Sequence, residues 1–203
     1  AVKVLHPRLQ RLPASVERLR DEARLVARLE HPGVVPVYDV GELPDGRVFL
    51  AMKRVQGQTL DAFWRSRSLR RRVALLVSVA QTIAFAHEHG VVHRDLKPSN
   101  VMVGAFGEVL VLDWGLARAA DQDVASVAGT LAWMAPEQAG GATVAAPADV
   151  WALGALLYLA LTDRRIHDHR TVTPNELVAL LRAGGPDVVP PRPQQADEEL
   201  VEL

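Results

Sequence analysis

The chain of 203 residues contains no cysteine, which excludes disulfide bonds and thiolate metal sites and leads us to expect a cytoplasmic protein. Its net charge of -1 gives no reason to expect nucleic acid or a membrane surface as a partner. No long apolar segment stands near its start, so no signal peptide is predicted. The longest apolar run, residues 150–161, is too short to span a bilayer and predicts a buried helix, so we expect no membrane segment in this chain.

What the chain does contain is a β-rich pattern in its first quarter. Residues 1–5, 34–40 and 47–52 predict strands, and Pro44-Asp45-Gly46 predicts a turn between the last two. A helix is predicted to open at Pro13, with Ser15 as its N-cap. Its apolar stripe contains a carboxylate, Glu22, which lies three residues after Leu19 and four before Val26.

After Gly57 the pattern becomes helical. Apolar positions predict a helix that includes residues 76–87 and ends at Gly90, and a central helix over residues 149–161. A hydrophobic content of 49% is enough for a core. We expect an α+β fold in two lobes: a partial β-rich lobe over residues 1–57, with a hinge at 52–57, and a partial, mainly helical lobe over residues 58–203.

Three short motifs carry chemistry. His93-Arg94-Asp95 is followed by Lys97 and Asn100, then by Asp113-Trp114-Gly115, and later by Ala135-Pro136-Glu137. The first two supply a positioned carboxylate, a cation beside it, an amide oxygen and a second carboxylate. Phosphoryl transfer needs such groups, because a base must orient the attacking hydroxyl, a cation must face the moving phosphate, and Mg²⁺ prefers hard oxygen ligands.

These motifs resemble those of the protein serine/threonine kinases, and the sequence around residues 109–118 is most similar to the bacterial members of that family. The resemblance implies a bilobal kinase fold, ATP and Mg²⁺ as cofactors, and proteins bearing Ser or Thr as substrates. It implies that Asp95 accepts the hydroxyl proton, that Lys97 contacts the γ-phosphate, and that Asn100 and Asp113 hold Mg²⁺. His93 would have a structural role.

The resemblance also implies a nucleotide site in the first lobe. Lys3 matches the strand lysine that holds the α- and β-phosphates, and Glu22 matches the glutamate that pairs with it. A carboxylate within an apolar stripe costs several kcal/mol unless a cation meets it, which independently favours this pair. Met52 would lie behind the adenine, and backbone groups of Lys53 and Val55 would bind the base.

Further positions match the family's activation segment and its supports. Thr130 would bridge Asp95 and Lys97, and Ser126 would carry a phosphate that pairs with Arg94. Trp114 would keep the large aromatic that packs against the regulatory helix. Asp149 would tie the central helix to the catalytic loop. Glu137 would be an ion-pair anchor whose arginine partner is missing, since the last arginine is Arg192.

The segment Gly104-Ala105-Phe106-Gly107-Glu108-Val109 echoes part of a Gly-rich phosphate loop, but its place between Asn100 and Asp113 predicts a hairpin turn. The resemblance places the Gly-rich loop before Lys3 and further helices after Leu203, so we expect a catalytic domain truncated at both ends. We expect such a chain to be poorly stable, because its sheet has an unpaired edge and Glu137 is a buried charge without a partner.

Three functions remain open at this stage. The first is a protein kinase that transfers the ATP γ-phosphate to Ser or Thr. The second is a non-catalytic binding or scaffold module of kinase fold, which the missing Gly-rich loop favours. The third is a small-molecule kinase of related fold, which the segments Gly129-Thr130 and Ala135-Pro136-Glu137 disfavour because they form a platform for protein substrates.

Overall fold

The first part of the molecule is a three-stranded antiparallel sheet in a computed structural model that describes residues 1–114, 131–139, 145–166 and 173–183, apart from the side chains of Arg18, Glu22 and Pro174. Strands β1 (Val2–Val4), β2 (Val37–Glu42) and β3 (Val48–Met52) pair in the order β1-β3-β2. The predicted turn between β2 and β3 is confirmed, because Gly46 adopts a φ of 84° and its N–H donates to the Leu43 carbonyl oxygen at 2.8 Å.

Two helices lie between β1 and β2. Helix α1 (Pro7–Gln10) is a single turn, and helix α2 (Pro13–Val26) packs its apolar face on the sheet. Leu19 and Ala23 of α2 form one buried cluster with Leu5, which follows β1, and with Val48 and Leu50 of β3. The N-cap is Leu12 and not Ser15, so that prediction was wrong. Pro13 occupies the first helical position, where its missing N–H costs nothing, and Ser15 therefore lies inside the first turn.

A second antiparallel sheet begins at Gly57. Strands β4 (Gly57–Thr59), β5 (Val101–Gly104) and β6 (Val109–Val111) pair in that order. The predicted turn between β5 and β6 is present at residues 105–108, with Gly107 at a φ of 87°. The first sheet uses residues before 53 and the second uses residues from 57 onward, so the lobe boundary near Gly57 remains a prediction that this arrangement supports.

The helices of the second part surround a common core. Helix α3 (Leu60–Trp64) leads into α4 (Leu69–Glu88), and a 3-10 turn (Pro98–Asn100) precedes β5. Beyond it lie α5 (Pro136–Ala139), α6 (Ala146–Thr162) and α7 (Pro174–Arg182). Gly90, at a φ of 72°, follows α4 as predicted. Both predicted helices are present, and each begins earlier in the chain than its predicted segment.

The core is built mainly where α4, α6 and the second sheet meet. Side chains of α4 and α6 are buried together with β5 and β6 in one cluster, which Val26 and Leu29 of the first part also join. A separate cluster joins α7 to the segment before α5 through Leu177, Leu181, Leu131 and Met134. Among the described residues, no helix is both long enough and apolar enough to cross a membrane.

Candidate active site

The predicted catalytic residues meet in the loop before β5. The Nζ atom of Lys97 lies 2.8 Å from Oδ2 of Asp95. The side-chain amide of Asn100 donates to the Asp95 carbonyl oxygen at 2.8 Å and to Oδ2 of Asp95 at 3.1 Å. Within the described residues both side-chain contacts of Asp95 thus fall on Oδ2, which leaves Oδ1 able to accept a proton from a bound hydroxyl.

His93 is a structural residue of this loop. Its ring is fully buried, with Nε2 2.9 Å from the Leu112 carbonyl oxygen, while the Asp95 N–H points at Nδ1 from 3.3 Å. Burial lowers the pKa of His93 below its ordinary value, and the nearby Asp149, Asp95 and Asp113 carboxylates only partly oppose this. A neutral ring with a proton on Nε2 fits both contacts.

Asp149, near the start of α6, fixes the same loop from behind. This carboxylate is buried and accepts the backbone N–H groups of His93 and Arg94, each at 2.8 Å. Nε2 of His87, on α4, lies 2.8 Å from its Oδ2. Arg94 needs this support because its φ is 68°, a left-handed conformation that costs about 1–3 kcal/mol outside glycine. The predicted tie between the central helix and the catalytic loop is therefore present.

Asp113 lies two residues after the end of β6 and is linked to Lys3 of β1. The two side chains form an ion pair, with Lys3 Nζ 3.0 Å from Asp113 Oδ1. The neighbouring Leu112 N–H donates to the Asn100 carbonyl oxygen at 2.8 Å, so Asp113 follows a residue that is tied to the catalytic loop. Asp113 itself has a φ of 48°. The structure thus brings the predicted phosphate lysine to the predicted metal ligand, across the two sheets.

The oxygen atoms of the side chains near Asp95 suit a hard cation as ligands. Among the residues that the structure describes, no group of three or more His, Cys, Asp or Glu side chains could hold a metal ion. A cation here would instead use the amide oxygen of Asn100, whose NH₂ group already faces Asp95, and the half-exposed carboxylate of Asp113. Two oxygen ligands with room for phosphate and water are what Mg²⁺ prefers, so the residues fit that ion.

The predicted hinge follows β3 without interruption. Met52 ends the strand, and its N–H and carbonyl oxygen are both engaged with Ala1. The Lys53 N–H donates to the Pro36 carbonyl oxygen at 2.8 Å. Of the two backbone groups of Lys53, only the carbonyl oxygen is therefore available to hydrogen-bond an adenine base. Val55 lies in the connection between β3 and β4. Binding of adenine by Lys53 and Val55 stays a prediction.

Trp114 occupies the position beside Asp113 and is buried. Its ring centroid lies 5.0 Å from that of His93, and the residue belongs to the core cluster that includes Val26 and Leu29 near the end of α2. Its indole Nε1 is buried without a hydrogen-bond partner among the described residues. The tryptophan thus lies in the same apolar cluster as the end of α2 and leaves one donor unsatisfied, while its direct packing against that helix stays a prediction.

Several predicted residues lie outside what the structure describes. The side chain of Glu22 is among them, so its pairing with Lys3 stays a prediction. Ser126 and Thr130 fall outside the described ranges as well. Glu137 is described and is exposed, so the prediction of a buried, unpaired charge was wrong. Water solvates this carboxylate, and a missing arginine partner therefore carries no large penalty.

Sequence reasoning missed some supporting residues. His87 lay at the end of the helical segment predicted over residues 76–87, and its contact with Asp149 was not foreseen. Gln138 had no signal, yet its amide group donates to the Arg94 carbonyl oxygen at 2.9 Å. Beside Lys97 lies a cavity of about 470 Å³ whose walls include Trp64 and Trp133. The two tryptophans are separated in sequence, so nothing local indicated that they share a wall.

Comparisons with known proteins agree with this geometry. The chain matches the protein kinase domain family over residues 1–203. It is 41% identical over 174 residues to the serine/threonine-protein kinase PknB of Mycolicibacterium smegmatis, covering 80% of this chain and 28% of that protein. It is 32% identical over 198 residues to the serine/threonine-protein kinase PknD of Protochlamydia amoebophila, covering 80% of this chain and 20% of that protein.

A solved structure shows the same fold. The crystal structure of the Mycobacterium tuberculosis PknI kinase domain superposes with a TM-score of 0.68 at 25% identity, covering 98% of this chain and 71% of that one. The small sheets followed by helices are consistent with the bilobal kinase fold that the sequence predicted. The match of the whole chain, together with relatives above 30% identity, shows that this chain belongs to the protein kinase domain family.

Proposed function

We propose that this chain transfers the γ-phosphoryl group of ATP to serine or threonine hydroxyls of other proteins. The observation that carries the proposal is the arrangement of Asp95, whose Oδ2 is held by Lys97 and Asn100 while Oδ1 is left for a substrate proton. A carboxylate held in this way can orient a hydroxyl as well as accept its proton, and orientation supplies much of the rate in phosphoryl transfer.

The step itself is a simple displacement. The substrate hydroxyl oxygen forms a bond to the γ-phosphorus of ATP, the bond from that phosphorus to the β–γ bridging oxygen breaks, and ADP leaves. The hydroxyl proton passes to Oδ1 of Asp95. Lys97, which lies 2.8 Å from Oδ2 of Asp95, would contact the phosphoryl group as it moves.

Lys3, Asn100 and Asp113 would bind the nucleotide. Mg²⁺, when bound, would neutralise charge that develops on the phosphate oxygens. Asn100 and Asp113 would hold the ion, and Lys3 would hold the α- and β-phosphates. The ion pair between Lys3 and Asp113 supports this assignment, because the two side chains that would bind phosphate and metal lie 3.0 Å apart. Glu22 would orient Lys3, and Met52, Lys53 and Val55 would surround the adenine.

The substrate class follows from two features of the site. The cavity beside Lys97, with Trp64 and Trp133 in its wall, offers a concave surface for the chain that carries the hydroxyl. Lys97 and Thr130 would fill the space around Asp95, so a short serine or threonine side chain suits the site and a longer tyrosine would push its own chain outward. Proteins bearing Ser or Thr are therefore the proposed partners.

The names of the curated relatives support this reading. Those relatives are serine/threonine-protein kinases, and this chain spans 28% of the length of PknB. We place the reaction in the cytoplasm, since ATP is available there and a chain without cysteine suits a reducing compartment. We propose no nucleic acid partner, because a net charge of -1 provides no attraction for phosphate backbones.

The test is phosphate transfer from radiolabelled ATP to a mixed peptide library, followed by phosphoamino acid analysis. We expect phosphoserine and phosphothreonine to form, and Asp95→Asn to lower the rate about 10²–10⁴-fold. Asp39→Asn removes an exposed carboxylate from β2 and serves as the matched control, with an unchanged rate. Full activity of the Asp95 variant would contradict the catalytic assignment, and predominant phosphotyrosine would contradict the substrate class.

The same samples distinguish a non-catalytic module. Binding of Mg-ATP measured by calorimetry, with no transfer to any peptide or to the chain itself, would favour the scaffold function over the enzyme. Binding together with transfer that Asp95→Asn abolishes would favour the enzyme.

A further inference from the structure

The turn between β5 and β6 presents an aromatic side chain to solvent. Phe106 is 98% exposed, more than any other large hydrophobic residue that the structure describes. A single exposed apolar residue is common and needs no explanation by itself. Here, however, Phe106 stands at the edge of a groove that contains a second phenylalanine, Phe63 of α3.

The groove separates this turn from the connection between α3 and α4. Its volume is about 620 Å³, and its walls include Phe63 and Phe106. On the side of the turn, Gly104, Ala105 and Gly107 line the groove with almost no side-chain bulk. A ligand backbone can therefore approach the turn closely, while one of its side chains enters between the two phenylalanines.

Arginine side chains give the groove its charge. Arg67 and Arg71 line it and are exposed, and neither has an ion-pair partner among the described residues. The Arg67 guanidinium lies 4.4 Å from the centre of the Phe63 ring, so the cation is held over an apolar wall. A Cβ atom added to Gly107 would lie 3.2 Å from Nη2 of Arg71, which places that guanidinium beside the turn.

One carboxylate belongs to the same turn. Glu108 accepts the Phe106 N–H through Oε2 at 3.1 Å, and it therefore helps to hold the turn in shape. With Arg67 and Arg71 against the single carboxylate of Glu108, the net charge of the groove is positive. This charge favours an anionic ligand.

We propose that this groove docks a short acidic segment of another protein that carries an apolar side chain. The apolar side chain packs between Phe63 and Phe106, and carboxylates on either side meet Arg67 and Arg71. A concave groove with two separated phenylalanines suits a peptide side chain, whereas a flat lipid surface or a nucleic acid backbone would contact only its rim. The proposal concerns binding alone and holds whether or not the chain transfers phosphate.

The position of the groove relates it to the catalytic loop. Strand β5 begins one residue after Asn100 and ends at Gly104, so its four residues place the turn about 13 Å along the chain from that loop. A partner held at the groove would keep any hydroxyl connected to it at raised local concentration near Asp95. Docking there would therefore select partners by a segment distinct from the residues around the acceptor hydroxyl.

Fluorescence anisotropy with labelled nonapeptides tests the proposal. The probe is rich in glutamate and has leucine, isoleucine or phenylalanine at its centre; one reference peptide has glutamine for every glutamate and another has serine at the centre. We expect saturable binding of the acidic probe at micromolar to submillimolar concentration, at least 10-fold weaker binding of both references, and weakening of the probe by 200 mM salt.

Variants of the protein locate the binding. Arg67→Glu combined with Arg71→Glu should weaken the probe at least 10-fold, and Phe106→Ser should weaken it several-fold. The matched controls are Arg11→Glu combined with Arg28→Glu, and Tyr38→Ser, which change exposed residues elsewhere and should leave binding unchanged. All these positions are exposed, and thermal melts will verify that each variant is folded. Asp95→Asn should bind like the unmodified chain, which separates this proposal from the proposed activity.

Three results would overturn the proposal. The first is the absence of saturable binding of every acidic probe up to 1 mM. The second is equal binding by the groove variants and their controls. The third is co-sedimentation with phosphatidylserine vesicles that is lost in the groove variants while no peptide binds, which would assign the surface to a membrane.

Discussion

Asp149, His93 and Asn100 are among the few polar side chains buried in the described part of the chain, and all three contact the catalytic loop. Each satisfies backbone groups of that loop, and Asn100 also contacts the Asp95 carboxylate. A buried polar group without a partner is costly, so these side chains and the loop define one another. Two of the side chains that position Asp95, Asp149 and His93, have no proposed contact with a substrate.

Asp149→Asn tests this support at a single atom. An amide has one acceptor oxygen where the carboxylate has two. Either the Arg94 N–H on Oδ1, or the His93 N–H and His87 Nε2 on Oδ2, therefore loses its partner. We expect the free energy of unfolding to fall by about 1–3 kcal/mol in a urea titration, together with a lower transfer rate. Asp39→Asn, at an exposed position, should change neither quantity. A stability equal to that of the unmodified chain would show that the loop does not depend on this carboxylate.

His93 should give the stability a pH dependence near neutrality. Burial lowers its pKa in the folded state below the ordinary 6.5, so the unfolded state binds more protons once the pH falls below that value. The stability that the neutral His93 ring contributes is fully present above pH 6.5, and it is lost as the pH falls toward the pKa of His93 in the folded state. Urea titrations at pH 7.5 and 6.0 should show the loss in the unmodified chain.

His93→Phe isolates this effect, because all other histidines remain. Its absolute stability should be lower, since the Leu112 carbonyl group and the Asp95 N–H lose their partner. The decline between pH 7.5 and 6.0 should nevertheless be smaller than in the unmodified chain. Identical declines in both proteins would show that His93 is not the titrating group.

Single elements of this fold depend on particular glycines. Gly90 follows α4 with a φ of 72°, a conformation that an L side chain adopts only with strain. Gly154 lies within α6 in an ordinary helical conformation, and a Cβ atom added there would meet nothing within 4 Å. A methyl group should therefore strain the backbone at Gly90, whereas Gly154 can accept it.

Alanine at each position gives a matched pair. Gly90→Ala should lower the free energy of unfolding by about 1–2 kcal/mol, because it forces a left-handed alanine. Gly154→Ala should raise it by about 0.5–1 kcal/mol, because alanine restricts the unfolded chain and favours the helix. Chemical unfolding of both variants measures the difference. Effects of the same sign would contradict the conformations assigned to these two glycines.

The segment between Asp113 and Gly129 carries one prediction from sequence, and it lies largely outside the described residues. Ser126 is the single hydroxyl-bearing residue there. A phosphate on Ser126 would add close to two negative charges, and the exposed Arg94 could pair with it. We expect Ser126→Ala to lower transfer after preincubation with Mg-ATP, and phosphopeptide mapping to find Ser126 modified. Activity independent of Ser126 would show that the segment needs no phosphate.

The whole molecule is assembled by contacts between its two parts. Val111 of β6 pairs with the segment after α2, since its N–H donates to the Gly33 carbonyl oxygen at 2.7 Å. Lys3 and Asp113 add an ion pair over the same junction. The first contact is between backbone groups in the core, and the second is between partly exposed side chains that face the proposed nucleotide site.

Lys3→Met should therefore separate activity from stability. The ion pair is partly exposed, and such pairs contribute about 0–1 kcal/mol, so the melting temperature should change little. The transfer rate should nevertheless fall on the order of 10²-fold or more, because a cation that faces the phosphates is lost. Arg28→Met, which removes an exposed cation outside the proposed site, is the control and should retain activity. A large loss of stability in Lys3→Met would make the residue structural.

The sequence by itself determined the local features of this protein. The spacing of Asp95, Lys97 and Asn100, the two turns and the helical stripes could all be read from it, because each depends on neighbouring residues and on backbone preference. Only the tertiary structure decided that Lys3 meets Asp113, 110 positions away, and that His87 meets Asp149, 62 positions away. Periodicity shows which face of an element is buried but not what covers it, and the packing of distant elements settles that.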